Sequence, residues 1–124
     1  MKSIIGSMIA VAGLMVAGSV MAEDMPDLAK KSGCTACHKV DGKMVGPGWA
    51  DVGKAYNSNG ATTSGKKVAD ILAENKAGSA KEYLAKKIAA GGTGNWGTGK
   101  MIANSPKVSD ADIATLVDFI LTQK

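Results

Sequence analysis

Cys34-Thr35-Ala36-Cys37-His38 is the stretch that decides how the rest of the chain is read. Two thiols separated by two residues and followed at once by an imidazole form the attachment signature of a c-type haem. The spacing has a chemical reason. Both thiols add to the vinyl groups on adjacent pyrrole edges, and the next imidazole is thereby placed under the iron. Two other readings of such a pair carry less weight. A thioredoxin-like dithiol follows a strand, and no strand alternation precedes Cys34. A zinc site needs a second Cys or His pair, whereas the chain has only 2 Cys and 1 His. The expected cofactor is one haem c, covalent through Cys34 and Cys37.

Iron bound this way has a sixth position that is either filled or open. His38 is the only His, so a bis-His site is excluded. Beyond the N-terminal segment the soft donors left are Met25, Met44 and Met101. Met25 stands at the very start of the first expected helix, and Met44 follows only six residues after His38. Met101 lies in a distant Gly-rich loop that can wrap to that face, and a thioether there would favour ferrous iron and raise the potential. Met is also ordinary core filler, which is the competing reading for all three.

The N-terminus has the layout of an export signal. Lys2 gives the positive start, Ile4 to Val20 carry no charge, and Val20-Met21-Ala22 supplies a small residue before Glu23-Asp24. The uncharged run approaches membrane-spanning length, so a retained anchor competes. Gly6, Gly13, Gly18 and the cleavage-like ending favour removal. The expected organisation is a signal peptide over 1–22 and one domain over 23–124, placed in the periplasm with no membrane span after cleavage. Of the charged side chains, cleavage removes only Lys2, lowering the formal charge of +4 by one. Every basic residue is Lys, without the Arg and clustered stripes of nucleic-acid binders. Nucleic acid is therefore not an expected partner. The mild excess suits an acidic protein surface, or is simply a solvated Lys-rich face.

Periodicity predicts helices joined by Gly-rich loops. A first helix is expected over Met25 to Ser32, with Pro26 near its first turn and Gly33 ending it. Residues 39–65 read as loop, with a weak helical turn around Ala50 to Tyr56. Lys66 to Lys76 and Ala80 to Ala90 read as helices through Val68, Ile71, Leu72 and through Tyr83, Leu84, Ile88. Gly91-Gly92 stops the second, and 91–100 reads as loop. The clearest element is the last. Ser109 can cap it, Asp110 and Asp112 suit its positive end, and Ile113, Leu116, Val117, Ile120 and Leu121 form one stripe.

Taken together, residues 23–124 resemble a small bacterial class I cytochrome c. The matching features are the helix before Cys34–His38, Lys43-Met44-Val45-Gly46-Pro47, Trp96-Gly97 ahead of Met101, Asn104 after it, and the capped last helix. The resemblance implies an all-α class I cytochrome c fold, with N- and C-terminal helices crossing around one haem. It implies His38 as proximal and Met101 as distal ligand, with the Pro47 carbonyl holding the other ring N–H of His38. Trp96 and Lys87 match residues that hydrogen-bond a haem propionate, and Asn104 matches one that hydrogen-bonds near the Met sulfur. Each has a bland alternative as turn proline, core aromatic or solvated lysine. The chain departs from the shortest members between Asn57 and Ala80, where added length suits a lid, a docking surface or an elaborated loop.

The function expected is one-electron transfer between periplasmic redox proteins, and not enzyme catalysis, because two filled axial positions leave iron no substrate site. Lys39, Lys43, Lys100 and Lys107 flank the motifs around the expected haem edge and would steer an acidic partner to a monomeric carrier. Rival readings are an open-site haem enzyme or gas binder, if Met101 does not ligate, and a dedicated haem subunit of one dehydrogenase or oxidase complex.

Overall fold

The last helix, α5 (Asp110–Thr122), is the element around which the others pack. Its start is set locally: the Ser109 hydroxyl accepts from the Asp112 N–H at 3.2 Å, and Asp110 and Asp112 lie in the electropositive first turn. Its stripe then does what the spacing predicts, since Ile113, Leu116, Val117 and Ile120 are all buried. The computed structural model describes residues 25–123, so the expected signal peptide over 1–22 lies outside the described residues.

Ahead of α5 come α1 (Asp27–Lys31), a 3-10 turn (Cys34–Ala36), α2 (Trp49–Asn57), α3 (Val68–Glu74) and α4 (Ala80–Ala90). The all-α expectation holds: the only β pairing among the described residues is two isolated bridges, Ala61 with Lys67 and Gly92 with Met101. α1 is shorter than the expected Met25 to Ser32. Pro26 holds an extended ψ of 153° and acts as the N-cap, its carbonyl accepting from Ala29 and Lys30. Gly33 ends the helix at φ 80°, as expected of glycine after a helix.

Two elements depart more from expectation. α2 is a nine-residue helix where a weak turn was expected, and it is tertiary burial that makes it so. Trp49, Val52, Ala55 and Tyr56 recur at helical spacing and are buried. Gly53 lets α2 meet the end of α5 backbone to backbone, for a Cβ there would stand 2.2 Å from the Gln123 carbonyl oxygen and 2.6 Å from that of Ile120. The Asn57 side-chain amide adds a bond to the Leu121 carbonyl at 2.7 Å.

α3 is trimmed to Val68–Glu74 from the expected Lys66 to Lys76. Lys67 is extended, paired across a tight turn with Ala61, and Lys76 has φ 51°. α3 answers part of the question raised by the 57–80 segment. Val68 and Ile71 are 1% and 0% exposed within the common core, so this segment is built into the domain and is not a free lid. α4 matches its expected range, with a cap the periodicity did not signal: Ser79 accepts from the Glu82 N–H while the Glu82 carboxylate accepts from the Gly78 N–H.

α4 and α2 both pack on α5, and α1 also touches it. Where these helices meet, Val52, Leu84, Ile88, Leu116 and Ile120 turn part of their surface to a cavity. All five are buried on protein atoms alone, and the cavity leaves the side of each that faces it without a packing partner.

Candidate functional site

The cavity is lined on one side by the Cys34–His38 stretch and on another by the loop after α4. Gly33 reverses the chain into the 3-10 turn, in which the Cys37 and His38 N–H groups both donate to the Cys34 carbonyl. That tight wrap brings Cys34, Cys37 and His38 to one wall. The two cysteines are free thiols, both half-buried. Burial pushes the Cys34 thiol upward, its own backbone hydrogen bond opposes the rise, and Cys37 adds to it. Both line the cavity, where thioether bonds to a group held in it would form.

His38 is held from two sides. Its Nδ1 donates to the Pro47 carbonyl at 2.9 Å, because a carbonyl only accepts, and in the neutral ring this tautomer leaves the Nε2 lone pair free. The Gly46 backbone lies flat against the ring, since a Cβ there would sit 2.3 Å from His38 Cε1. The Trp49 indole stands on the ring with centroids 5.9 Å apart, backed in turn by Phe119 at 5.8 Å. The Gly46 N–H donates to the Cys37 carbonyl, closing the loop that carries this arrangement.

Of the three described methionines only Met101 lines the cavity, while Met25 packs on the core and Met44 is 42% exposed. The Met101 backbone exchanges both N–H···O bonds with Gly92, each 2.9 Å. Asn104 also lines the cavity, but its side-chain amide donates to the Ile88 and Ile102 carbonyls at 3.0 and 3.2 Å. It ties the Met101 loop to α4.

Lys87 and Trp96 reach the same space from α4 and from the loop. Lys87 is half-buried, and loss of hydration, then the nearby Lys66, pull its ammonium below the ordinary lysine range. It makes none of the ion pairs found among the described residues, which join Lys66–Glu74, Lys81–Asp118 and Lys86–Glu82 at the surface. An anion at the cavity would relieve it. Trp96 packs on Tyr56 at 6.5 Å, Tyr56 stacks on Tyr83 at 5.9 Å, and the Tyr83 hydroxyl meets the Asn95 side chain. Ser64 donates to the Asn95 carbonyl at 2.8 Å, so the 57–80 segment braces this loop. The buried Tyr56 hydroxyl finds no hydrogen-bond partner among the described residues, and burial pushes its ionisation well upward.

Sequence reasoning missed Trp49 against His38 and the Tyr56, Tyr83 and Asn95 cluster. A helical stripe of aromatics signals only burial, and nothing local shows which partner each ring meets. Lys100 and Lys107 line the cavity mouth, whereas Lys39 and Lys43 are exposed away from it. Val45 and Ile102 stand at the mouth 56% and 71% exposed.

The residues present fit a covalent haem. Two free thiols, an imidazole with a free Nε2, a thioether on the same cavity, apolar walls and an unpaired ammonium form a donor set of that chemistry. Comparison with known proteins agrees. A family model described as cytochrome c matches residues 22–124. The chain is 40% identical to cytochrome c-552 of Nitrosomonas europaea over 93% of this chain and 91% of the relative. It is 38% identical to cytochrome c-552 of Hydrogenobacter thermophilus over 94% and 95%. The crystal structure of wild-type Nitrosomonas europaea cytochrome c552 superposes with a TM-score of 0.59 at 40% identity, covering 79% of this chain and 98% of that one.

Proposed function

Because the chain belongs to the cytochrome c family, electron carriers with one covalently attached c-type haem, we propose that it moves single electrons through an iron held by His38 and Met101. The observation that carries the reading is the shared cavity: Met101 is the only described methionine on it, and His38 faces it with Nδ1 already committed to Pro47. When bound, the haem supplies one reversible electron at its iron.

The chain's own residues do the rest. Cys34 and Cys37 anchor the group, and Pro47, Gly46 and Trp49 hold the His38 ring so that it changes little between oxidation states. Val52, Leu84, Ile88, Leu116 and Ile120 exclude water. Lys87 and Trp96 are assigned to the haem carboxylates, and Asn104 to the loop that presents the Met101 sulfur. With His38 and Met101 both holding the iron, no position would remain for a substrate.

Residues 1–22 are read as a cleaved signal, which places a monomeric carrier in the periplasm among respiratory redox proteins. Among the described residues no helix is long and apolar enough to cross a membrane. The visible spectrum of the purified protein in both oxidation states tests the ligand set. The ferric form is expected to show the weak far-red sulfur-to-iron band, and the ferrous form to resist carbon monoxide. Absence of the band together with rapid carbon monoxide binding would make the site open, and the carrier reading would fall.

Partner docking is assigned to the cavity mouth, where exposed Val45 and Ile102 are accompanied by Lys100 and Lys107. Exposed charge of this kind acts mainly on encounter, over a Debye length of about 10 Å at 0.1 M salt. Association with an acidic partner should slow by roughly tenfold or more between low and near-physiological salt. Stopped-flow rates that do not change with ionic strength would remove the electrostatic part of the proposal.

A further inference from the structure

We propose that Gly91 is the positioning residue for the sixth ligand: the close backbone approach it permits sets where Met101 stands against the haem site. The inference rests on the reading of Met101 as ligand and goes one step further, to what holds it there.

Gly91 follows the last residue of α4 at φ 70° and ψ −157°, a region essentially closed to residues with a side chain. A helix needs only a left-handed cap to stop, and Asn can supply that. The ψ found here does something else. The Gly91 N–H still donates to the Lys87 carbonyl at 2.7 Å, so the residue is seated on the helix while the chain turns to meet residues 101–103. A Cβ at Gly91 would stand 2.4 Å from the Met101 carbonyl oxygen and 2.8 Å from both Ile102 C and Ala103 N. All three are backbone atoms, and no flexible tip can move aside.

Attachments lie on both sides of that approach. Gly92 and Met101 exchange two hydrogen bonds, and the Asn104 N–H donates back to the Ile88 and Ala89 carbonyls.

 Ile88 is itself a buried core residue and Ala89 packs against the core, so Met101 is tied to the core of the domain. Gly92 does not carry the same weight, because a Cβ there meets only the far end of the Lys87 side chain, Nζ at 2.9 Å and Cε at 4.0 Å, and no backbone. A thioether is a weak neutral ligand, and its bond to iron depends on the protein holding sulfur in place.

The test compares haem-loaded wild type, Gly91→Ala and Gly65→Ala. Gly65 also has positive φ, 88°, but a Cβ there meets nothing within 4 Å and the residue is not on the cavity. It reports the cost of backbone strain alone. In Gly91→Ala the ratio of sulfur-bound to sulfur-free iron should fall by roughly tenfold or more. This is read as a far-red band lost at lower temperature and faster carbon monoxide uptake, with far-ultraviolet helicity retained. Gly65→Ala should melt earlier and keep both signals of the wild type while folded. A Gly91→Ala protein with the wild-type band and carbon monoxide rate overturns the inference. If Gly91→Ala does not load haem and fold, hydrogen exchange of the wild type decides. The Met101 and Gly92 amides should open in the same event that extinguishes the band, and free exchange with the band intact overturns the proposal. A wild type without the band refutes Met101 as ligand; a band indifferent to Gly91 refutes only this inference.

Discussion

The Cys34→Ala/Cys37→Ala double variant, produced without covalent haem, is expected to lose most of its helical signal. The reason lies in which side chains face the cavity. Val52, Leu84, Ile88, Leu116 and Ile120 come from three helices and all line it. Full burial of one such side chain is worth about 1.5–3 kcal/mol, and the net stability of a domain is only about 5–15 kcal/mol. All five are only 1–7% exposed on protein atoms alone, so what is lost is not their burial but the contacts that would fill the cavity beside them, and a cavity left empty is itself costly against so small a margin. Axial ligation and packing of the group exist only in the folded state and so stabilise it, and covalent attachment keeps the group on the chain to make them. Circular dichroism and amide dispersion in the nuclear magnetic resonance spectrum check it. A double variant with wild-type helicity would mean that the α2, α4 and α5 packing is self-sufficient.

Met101→Ala should leave the fold largely intact and change the iron. The far-red sulfur-to-iron band should vanish, carbon monoxide should bind the ferrous form readily, and the reduction potential should fall. Sulfur stabilises ferrous over ferric iron, and each tenfold in that preference corresponds to about 59 mV for one electron. A fall of at least that order is expected. Met44→Ala is the matched control, because Met44 is 42% exposed and does not line the cavity. It should reproduce the wild-type spectrum and potential. A band that survives in Met101→Ala would place another donor on iron and end the His/Met reading.

Both results depend on residues that stood out in the chain for different reasons. The Cys34–His38 stretch is local chemistry: two thiols and an imidazole at fixed spacing have few other uses together, so no fold was needed to read it. The last helix was equally legible, since its cap and its stripe are both properties of neighbouring residues. So was Ala80–Ala90, bounded by a run of apolar spacing and a pair of glycines. α2 was not. Its start at Gly48 and the glycine in its middle weaken any local helical signal, and what stabilises it is contact with α5. The 57–80 segment could not be placed either, because Val68 and Ile71 look the same on a surface helix as on one that completes a core.

By itself the sequence determined the attachment motif, the sole imidazole, the helical class and the capped last helix, because each is written in residues close along the chain. The resemblance implied the Pro47 bond to His38 and the choice of Met101 over Met25 and Met44, whereas tertiary structure alone decided that Trp49 backs the His38 ring and that Gly91 lets the Met101 backbone close on α4. These are meetings between residues far apart in the chain. Burial, hydrogen-bond partner and distance of approach arise only when α2, α4 and α5 have packed, and no local periodicity encodes them.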